Sequence, residues 1–154
     1  MPNTTCCFFG HRNVSVTEEL KKRLAEIIEG LITDENVDTF LFGSKSSFDS
    51  LCLDTVTELK EKYPHVRRVY VRAEFPDIDD GYRSYLLQLY EDTYYPERLR
   101  GAGRAVYVER NREMVDRSLF CIVYYRCDSL PERRSGTALA LNYAVKKGRK
   151  VIII

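Results

Sequence analysis

The chain of 154 residues is long enough to bury one real core, and a hydrophobic fraction of 44% is ordinary for a globular domain. Lys plus Arg (24) nearly balance Asp plus Glu (23), so no overall field favours DNA or an acidic membrane, although a local basic patch is compatible with that balance. No apolar run reaches the ~18 residues of a membrane span, and residues 1–5 lack the basic and apolar regions of a signal peptide; a cytoplasmic protein without membrane contact is expected.

In chain order, residues 5–9 read as a first strand. Ser15 opens a capping box, because Glu18 stands three residues on and can reach back to the free amides. Leu20, Leu24, Ile27, Ile28 and Leu31 recur at helical spacing as one apolar face. Asn36 fits the exit turn, and residues 39–42 form a short buried strand. A second helix starts near Ser47, carries Phe48, Leu51, Cys52, Thr55, Val56 and Leu59 on its inner face, and stops at Pro64. Residues 67–73, valine-rich and partly alternating, predict a third strand.

The stretch 76–105 is rich in tyrosine and less regular. Residues 80–93 read as a helix followed by a loop, and Gly101-Ala102-Gly103 as flexible. Residues 106–117 predict a helix whose outer face is charged, with Met114, Val115 and Leu119 toward the core. Residues 119–125 are a fourth strand. Residues 136–147 are a last helix, closed by Gly148 as a left-handed cap. Residues 151–154 are continuously apolar and read as a fifth strand buried on both faces. Strand–helix alternation with crossovers of this length predicts one α/β domain over residues 1–154, with a mostly parallel five-stranded sheet between two layers of helices. Of the five cysteines, Cys6, Cys7 and Cys121 sit in or beside strands, and no spacing matches a zinc site. They read as reduced thiols, and Cys127 has no clear histidine partner for a nucleophilic role.

The strand ends carry the polar chemistry. If the strands are parallel neighbours, Gly10-His11-Arg12, Gly43-Ser44-Lys45-Ser46-Ser47, Glu74 and Ser135-Gly136-Thr137 all lie along the carboxyl edge of the sheet, where open α/β sheets bind ligands. A glycine at a strand end lets backbone amides approach an anion, and a following helix start adds free N–H groups. Serine caps of ordinary turns would look the same, but three such turns in one small sheet favour a phosphate-bearing ligand. Arg12 could clamp a phosphate with two hydrogen bonds. His11 could bind phosphate, stack on a base or act as acid or base. Arg110 and Asn111 would face the sheet edge, with Arg112 and Glu113 solvated. Cleaving an N-glycosidic bond would need a carboxylate. Asp49, Glu74 and Asp116 are available, and Glu74, directly after a strand, is the best placed. Residues 76–80 are acidic, but such loops are commonly only solvated; no metal or cofactor is expected.

Together these residues resemble the SLOG superfamily, named for the SMF/DprA proteins and the Lonely Guy enzymes, and in particular its small bacterial members. The resemblance rests on an early Gly-x-Arg turn (Gly10-His11-Arg12), a glycine-led turn followed by Asp in the next helix (Gly43, Phe48-Asp49), an Arg-Asn-x-x-Met-Val-Asp helix (Arg110-Asn111, Met114-Val115-Asp116) and a late Gly-Thr turn before a Tyr-Ala helix (Gly136-Thr137, Tyr143-Ala144). It spans nearly the whole chain and fits residues 76–105 least well. It implies a Rossmann-like fold and a nucleotide-derived ligand. Gly43, Ser44, Gly136 and Thr137 would hold phosphate, Arg12 and Arg110 would neutralise it, and Asn111 and Asp49 would contact ribose or base. Some relatives hydrolyse nucleoside monophosphates through a fuller Pro-Gly-Gly-x-Gly-Thr-x-x-Glu motif. Here Arg133-Arg134-Ser135 precedes Gly136, and Ala140 stands where the catalytic Glu would be. Hydrolysis at Glu74 is the alternative to binding alone. Single-stranded DNA binding is a third reading, because Arg98, Arg100 and Arg104 mix with Tyr94, Tyr95 and Tyr107. The near-neutral charge argues against a nucleic-acid partner, and those tyrosines suit a contact between copies of the chain.

Overall fold

The structure, a computed structural model, describes residues 3–126 and 136–154. Cys127, Arg133, Arg134 and Ser135 lie outside the described residues. Six strands, β1 (Thr5–Gly10), β2 (Thr39–Phe42), β3 (Arg67–Val71), β4 (Asp92–Tyr94), β5 (Phe120–Tyr124) and β6 (Lys150–Ile153), form one sheet in the order β4-β3-β2-β1-β5-β6. Every pairing is parallel. Five helices connect them: α1 (Glu18–Asp34), α2 (Ser47–Lys62), α3 (Asp80–Leu89), α4 (Val106–Arg117) and α5 (Gly136–Lys146).

Strand alternation sorts the core into two halves. Cys6, Phe8, Phe40, Phe42, Phe120 and Ile122 point to one face and are covered by Leu24, Ile28, Leu31 and Ile32 of α1 and Phe48, Leu51, Cys52 and Val56 of α2. Cys7, Phe9, Leu41, Val69, Val71, Cys121 and Val123 point to the other face, under Met114 and Val115 of α4 and Ala140 and Ala144 of α5. The result is the expected Rossmann-like three-layer sandwich. The strand order reverses between β1 and β5, which sets the switch point where such sheets open a crevice. Cys6, Cys7, Cys52 and Cys121 are buried free thiols. Among the described residues no helix is long and apolar enough to cross a membrane.

Four expectations are corrected. The sheet has six strands because the tyrosine-rich stretch contains β4. The helix predicted over residues 80–93 ends at Leu89, and β4 pairs with β3. It is anchored by Thr93 Oγ1 donating to the Tyr70 carbonyl (2.9 Å) and by a two-point ion pair of Arg68 with Glu91. The first helix is capped by Thr17, whose hydroxyl accepts the Leu20 N–H at 3.1 Å, and not by Ser15; the glutamates at 18 and 19 then fill its first turn, where the helix dipole favours them. Glu113 is not solvated: it accepts from the Tyr94 hydroxyl at 3.0 Å and pairs with Arg117. Finally, β6 is an edge strand, with Ile153 54% exposed, because the chain returns to the sheet on the outer side of β5. Asn36 (φ 58°) and Gly148 (φ 73°) do take the left-handed conformation that ends α1 and α5.

Candidate functional site

The carboxyl ends of β1, β2 and β3, the inner face of α4 and the start of α5 enclose a cleft of about 680 Å³. That volume lies within the range of small-molecule sites, ~300–1,000 Å³. Gly10, His11, Arg12, Gly43 and Ser44 line it from the sheet side, together with Glu74. Arg110, Asn111, Gly136 and Thr137 line it from the helices. Of the predicted site residues within the described chain, Asp49 alone is set back from the cleft wall.

The glycines differ in what they do. A Cβ on Gly10 would lie 2.5 Å from the Phe48 Cβ and closer still to its ring, so Gly10 makes room for α2 and not for a ligand. A Cβ on Gly43 would meet Arg110 Cδ and Met114 Sδ, each at 2.8 Å. Among the described residues, Gly136 has nothing within 4 Å of that position.

Asp49 sits in the first turn of α2, whose N-cap Ser46 accepts the Asp49 N–H at 3.1 Å. Its buried carboxyl takes the backbone amides of Gly43 and Ser44 and faces the Arg110 guanidinium; burial outweighs these favourable partners and pushes its pKa up to about 7. Gly43 and Ser44 line the cleft with this carboxyl close behind them, and Asp49 itself is buried, 5% exposed. Arg110 is equally built in: it donates to the Gly43 carbonyl and, through Nε, to Asn111 Oδ1 at 3.0 Å, and burial lowers its pKa while Asp49 opposes the shift.

His11 is also structural in part. Its Nε2 accepts the Arg126 N–H at 2.8 Å, and its ring packs on Tyr125 at 5.4 Å. This bond ties the exits of β1 and β5 together at the switch point. Ser47 holds the other side of the same turn, accepting from the Val14 N–H at 2.7 Å and donating to the Arg12 carbonyl at 3.0 Å. Arg12 itself is exposed, and Lys45 lies exposed on the adjoining loop.

Two cleft residues outside the predicted set matter for its chemistry. Tyr107 lines the cleft, and its hydroxyl donates to Glu74 Oε1 at 3.0 Å. Tyr70 stacks on Tyr90 with centroids 5.2 Å apart beneath the β3 end. A signal for Tyr107 was present: residues 107, 110, 111 and 114 follow the i, i+3, i+4, i+7 spacing of one helix face, and all four line the cleft. Asp116 lies elsewhere, accepting from Arg98 (2.7 Å) and from the Tyr143 hydroxyl (2.9 Å).

No family model matches the chain. It is similar to an uncharacterised SPbeta prophage-derived protein, YoqJ, of Bacillus subtilis (strain 168), with 27% identity over 150 residues that cover 83% of this chain and 81% of the relative.

Proposed function

We propose that the cleft binds a nucleotide or nucleotide-derived ligand through its phosphate, in the manner that membership of the SLOG superfamily would imply. The observation that carries this reading is a pair of uncompensated cations. Among the described residues, neither the Arg12 guanidinium nor the Lys45 ammonium has an ion-pair partner, and both line the cleft exposed, whereas Arg110 is buried and held by the Gly43 carbonyl and Asn111. With a net charge of only +1 over the chain, the positive potential is local to this end of the cleft. The α5 N-terminus, with Gly136 open and the Thr137 hydroxyl beside it, adds a favourable dipole.

The test is calorimetric titration with AMP, GMP, CMP, UMP, ADP-ribose and NAD, with mass spectrometry for released base. Arg12→Ala with Lys45→Ala should weaken phosphate-bearing ligands by 10-fold or more, since a hydrogen bond to a charged group contributes about 1.5–3 kcal/mol. Unchanged affinity in the double variant would refute the assignment. Hydrolysis of the N-glycosidic bond is the second reading, supported by the presence of the Glu74 carboxylate at the cleft wall; released base in those samples would establish it. Of the residues behind the DNA reading, Arg98 is paired with Asp116 and Arg100 with Glu97. Tyr90 packs against Phe42 and Tyr70, and the Tyr94 hydroxyl is held by Glu113, so only part of the tyrosine-rich segment is free for a contact between copies.

A further inference from the structure

Tyr107 is held as a shelf. Its hydroxyl is fixed by Glu74 across the mouth of the cleft, and the Arg110 guanidinium lies 5.7 Å from its ring centre. The side chain nevertheless remains 49% exposed, unusual for an aromatic ring restrained at two points. A second recess of about 90 Å³ lies between α4 and α5, lined by Val108, Leu139 and Tyr143 among others. Three residues, Tyr107, Asn111 and Gly136, line both the recess and the main cleft and so mark their junction.

Each side of that junction suits a flat heterocycle. Tyr107 offers a ring face. Gly136 has no Cβ, and among the described residues nothing lies within 4 Å of where one would stand. Asn111 offers a defined edge: its Oδ1 accepts from Arg110 Nε, a group that can only donate, so its NH2 is the end left for a ligand.

Resting on the phosphate-binding reading above, we infer that Tyr107 is the base-stacking residue of the cleft. The base lies against its ring, with a carbonyl or ring-nitrogen acceptor toward the Asn111 NH2. Glu74 then acts as a positioning residue: it orients the Tyr107 ring and takes no part in bond cleavage.

The test compares two kinds of ligand that share a phosphate and differ in the base: AMP, GMP, CMP and UMP on one side, ribose 5-phosphate on the other. Wild-type protein should bind at least one monophosphate more tightly than ribose 5-phosphate. Tyr107→Ala should erase that preference, a loss of about 5- to 150-fold for the monophosphate, and leave the ribose 5-phosphate affinity unchanged. Tyr107→Phe should keep most of the preference, since the ring stays. Glu74→Gln, whose amide oxygen still accepts the hydrogen bond of the Tyr107 hydroxyl, should keep the base preference, whereas Glu74→Ala should lose part of it. Because Tyr107 is half exposed, the alanine variant should unfold at the wild-type urea midpoint, which separates lost stacking from lost structure.

Equal losses for both ligand kinds in Tyr107→Ala, or no loss, would overturn the assignment. So would a wild-type protein that binds ribose 5-phosphate as tightly as the monophosphates, although the phosphate site would then stand. Base release abolished by Glu74→Gln with binding intact would overturn the positioning role. Binding of neither ligand kind would remove the phosphate reading and the stacking residue with it.

Discussion

Gly10→Ala isolates the structural content of the first glycine turn. The added methyl would lie 2.5 Å from the Phe48 Cβ as well as inside contact distance of the ring, so rotating the ring does not relieve it. Phe48 is fully buried in the first turn of α2, and β1 is a central strand, so the helix start must move against a packed core. Overpacking of this kind costs about 1–3 kcal/mol, occasionally more, and a clash of Cβ with Cβ belongs at the upper end. About 3 kcal/mol should lower the melting temperature by roughly 6–12 °C in a domain of this size. Urea unfolding is the assay, with a lower midpoint at unchanged slope as the expected result. Phe48→Ala alone should cost about 3–5 kcal/mol by leaving a cavity. In that background the Gly10 methyl meets only the remaining Cβ, so the double variant should be more stable than the sum by about 1 kcal/mol. A Gly10→Ala protein within ~0.5 kcal/mol of wild type, the ordinary range of a surface substitution, would refute the reasoning; so would strict additivity with Phe48→Ala.

Gly136 should behave in the opposite way. Gly136→Asp adds a side chain into open space at a helix start, where a carboxylate is tolerated or favoured; the urea midpoint should hold while affinity for phosphate-bearing ligands collapses, and unchanged affinity in the folded variant would exclude this end of the cleft as the anion site. Asp49 predicts a pH dependence. Its pKa is raised from 3.8 to about 7 in the folded protein, so the native state holds the proton more tightly. Its stabilising contribution is full below about pH 4, where the unfolded carboxyl is protonated, and is lost as pH rises toward 7. Within that window the slope is about −1.4 kcal/mol per pH unit, and Asp49→Asn should flatten it. Urea unfolding at pH 5, 6, 7 and 8 measures the difference, and identical pH profiles for the two proteins would show that Asp49 is ionised throughout.

Much of the fold was legible because it rests on short-range signals. The apolar runs at residues 5–9, 39–42 and 119–125 are strands buried on both faces, and the helical spacing from Leu20 to Leu31 is α1. What escaped the sequence was decided by tertiary pairing. Asp92, Thr93 and Tyr94 include two strand-favouring residues but are too short a run to read as a strand. They become β4 because the open flank of β3 presents the Tyr70 carbonyl and Arg68 to Thr93 and Glu91. The apolar residues 151–154 read as a strand buried on both faces but belong to an edge strand, since apolarity reports burial preference and not position in the sheet.

The site was legible as a location and less so as a set of roles. Parallel strands and short turns bring the strand ends together, and the cleft lies there. Roles depend on which donors the protein consumes itself, and sequence does not reveal that competition. The Gly43-Ser44 turn has the local marks of an anion cradle, and the Asp49 carboxyl, supplied by the helix that follows, lies against it. Arg110 looks like a phosphate clamp and is committed to Asp49, Gly43 and Asn111. What remains for a ligand is the complement: Arg12, Lys45, the open flank of Gly136, the NH2 of Asn111 and the ring of Tyr107. Removing the Asp49 carboxyl would change that complement, since the Gly43-Ser44 turn and Arg110 would lose a neighbouring negative group while Arg110 kept its bonds to the Gly43 carbonyl and Asn111. The same carboxyl that shapes the pH profile of stability thus also bears on which donors of the candidate site are left for a ligand.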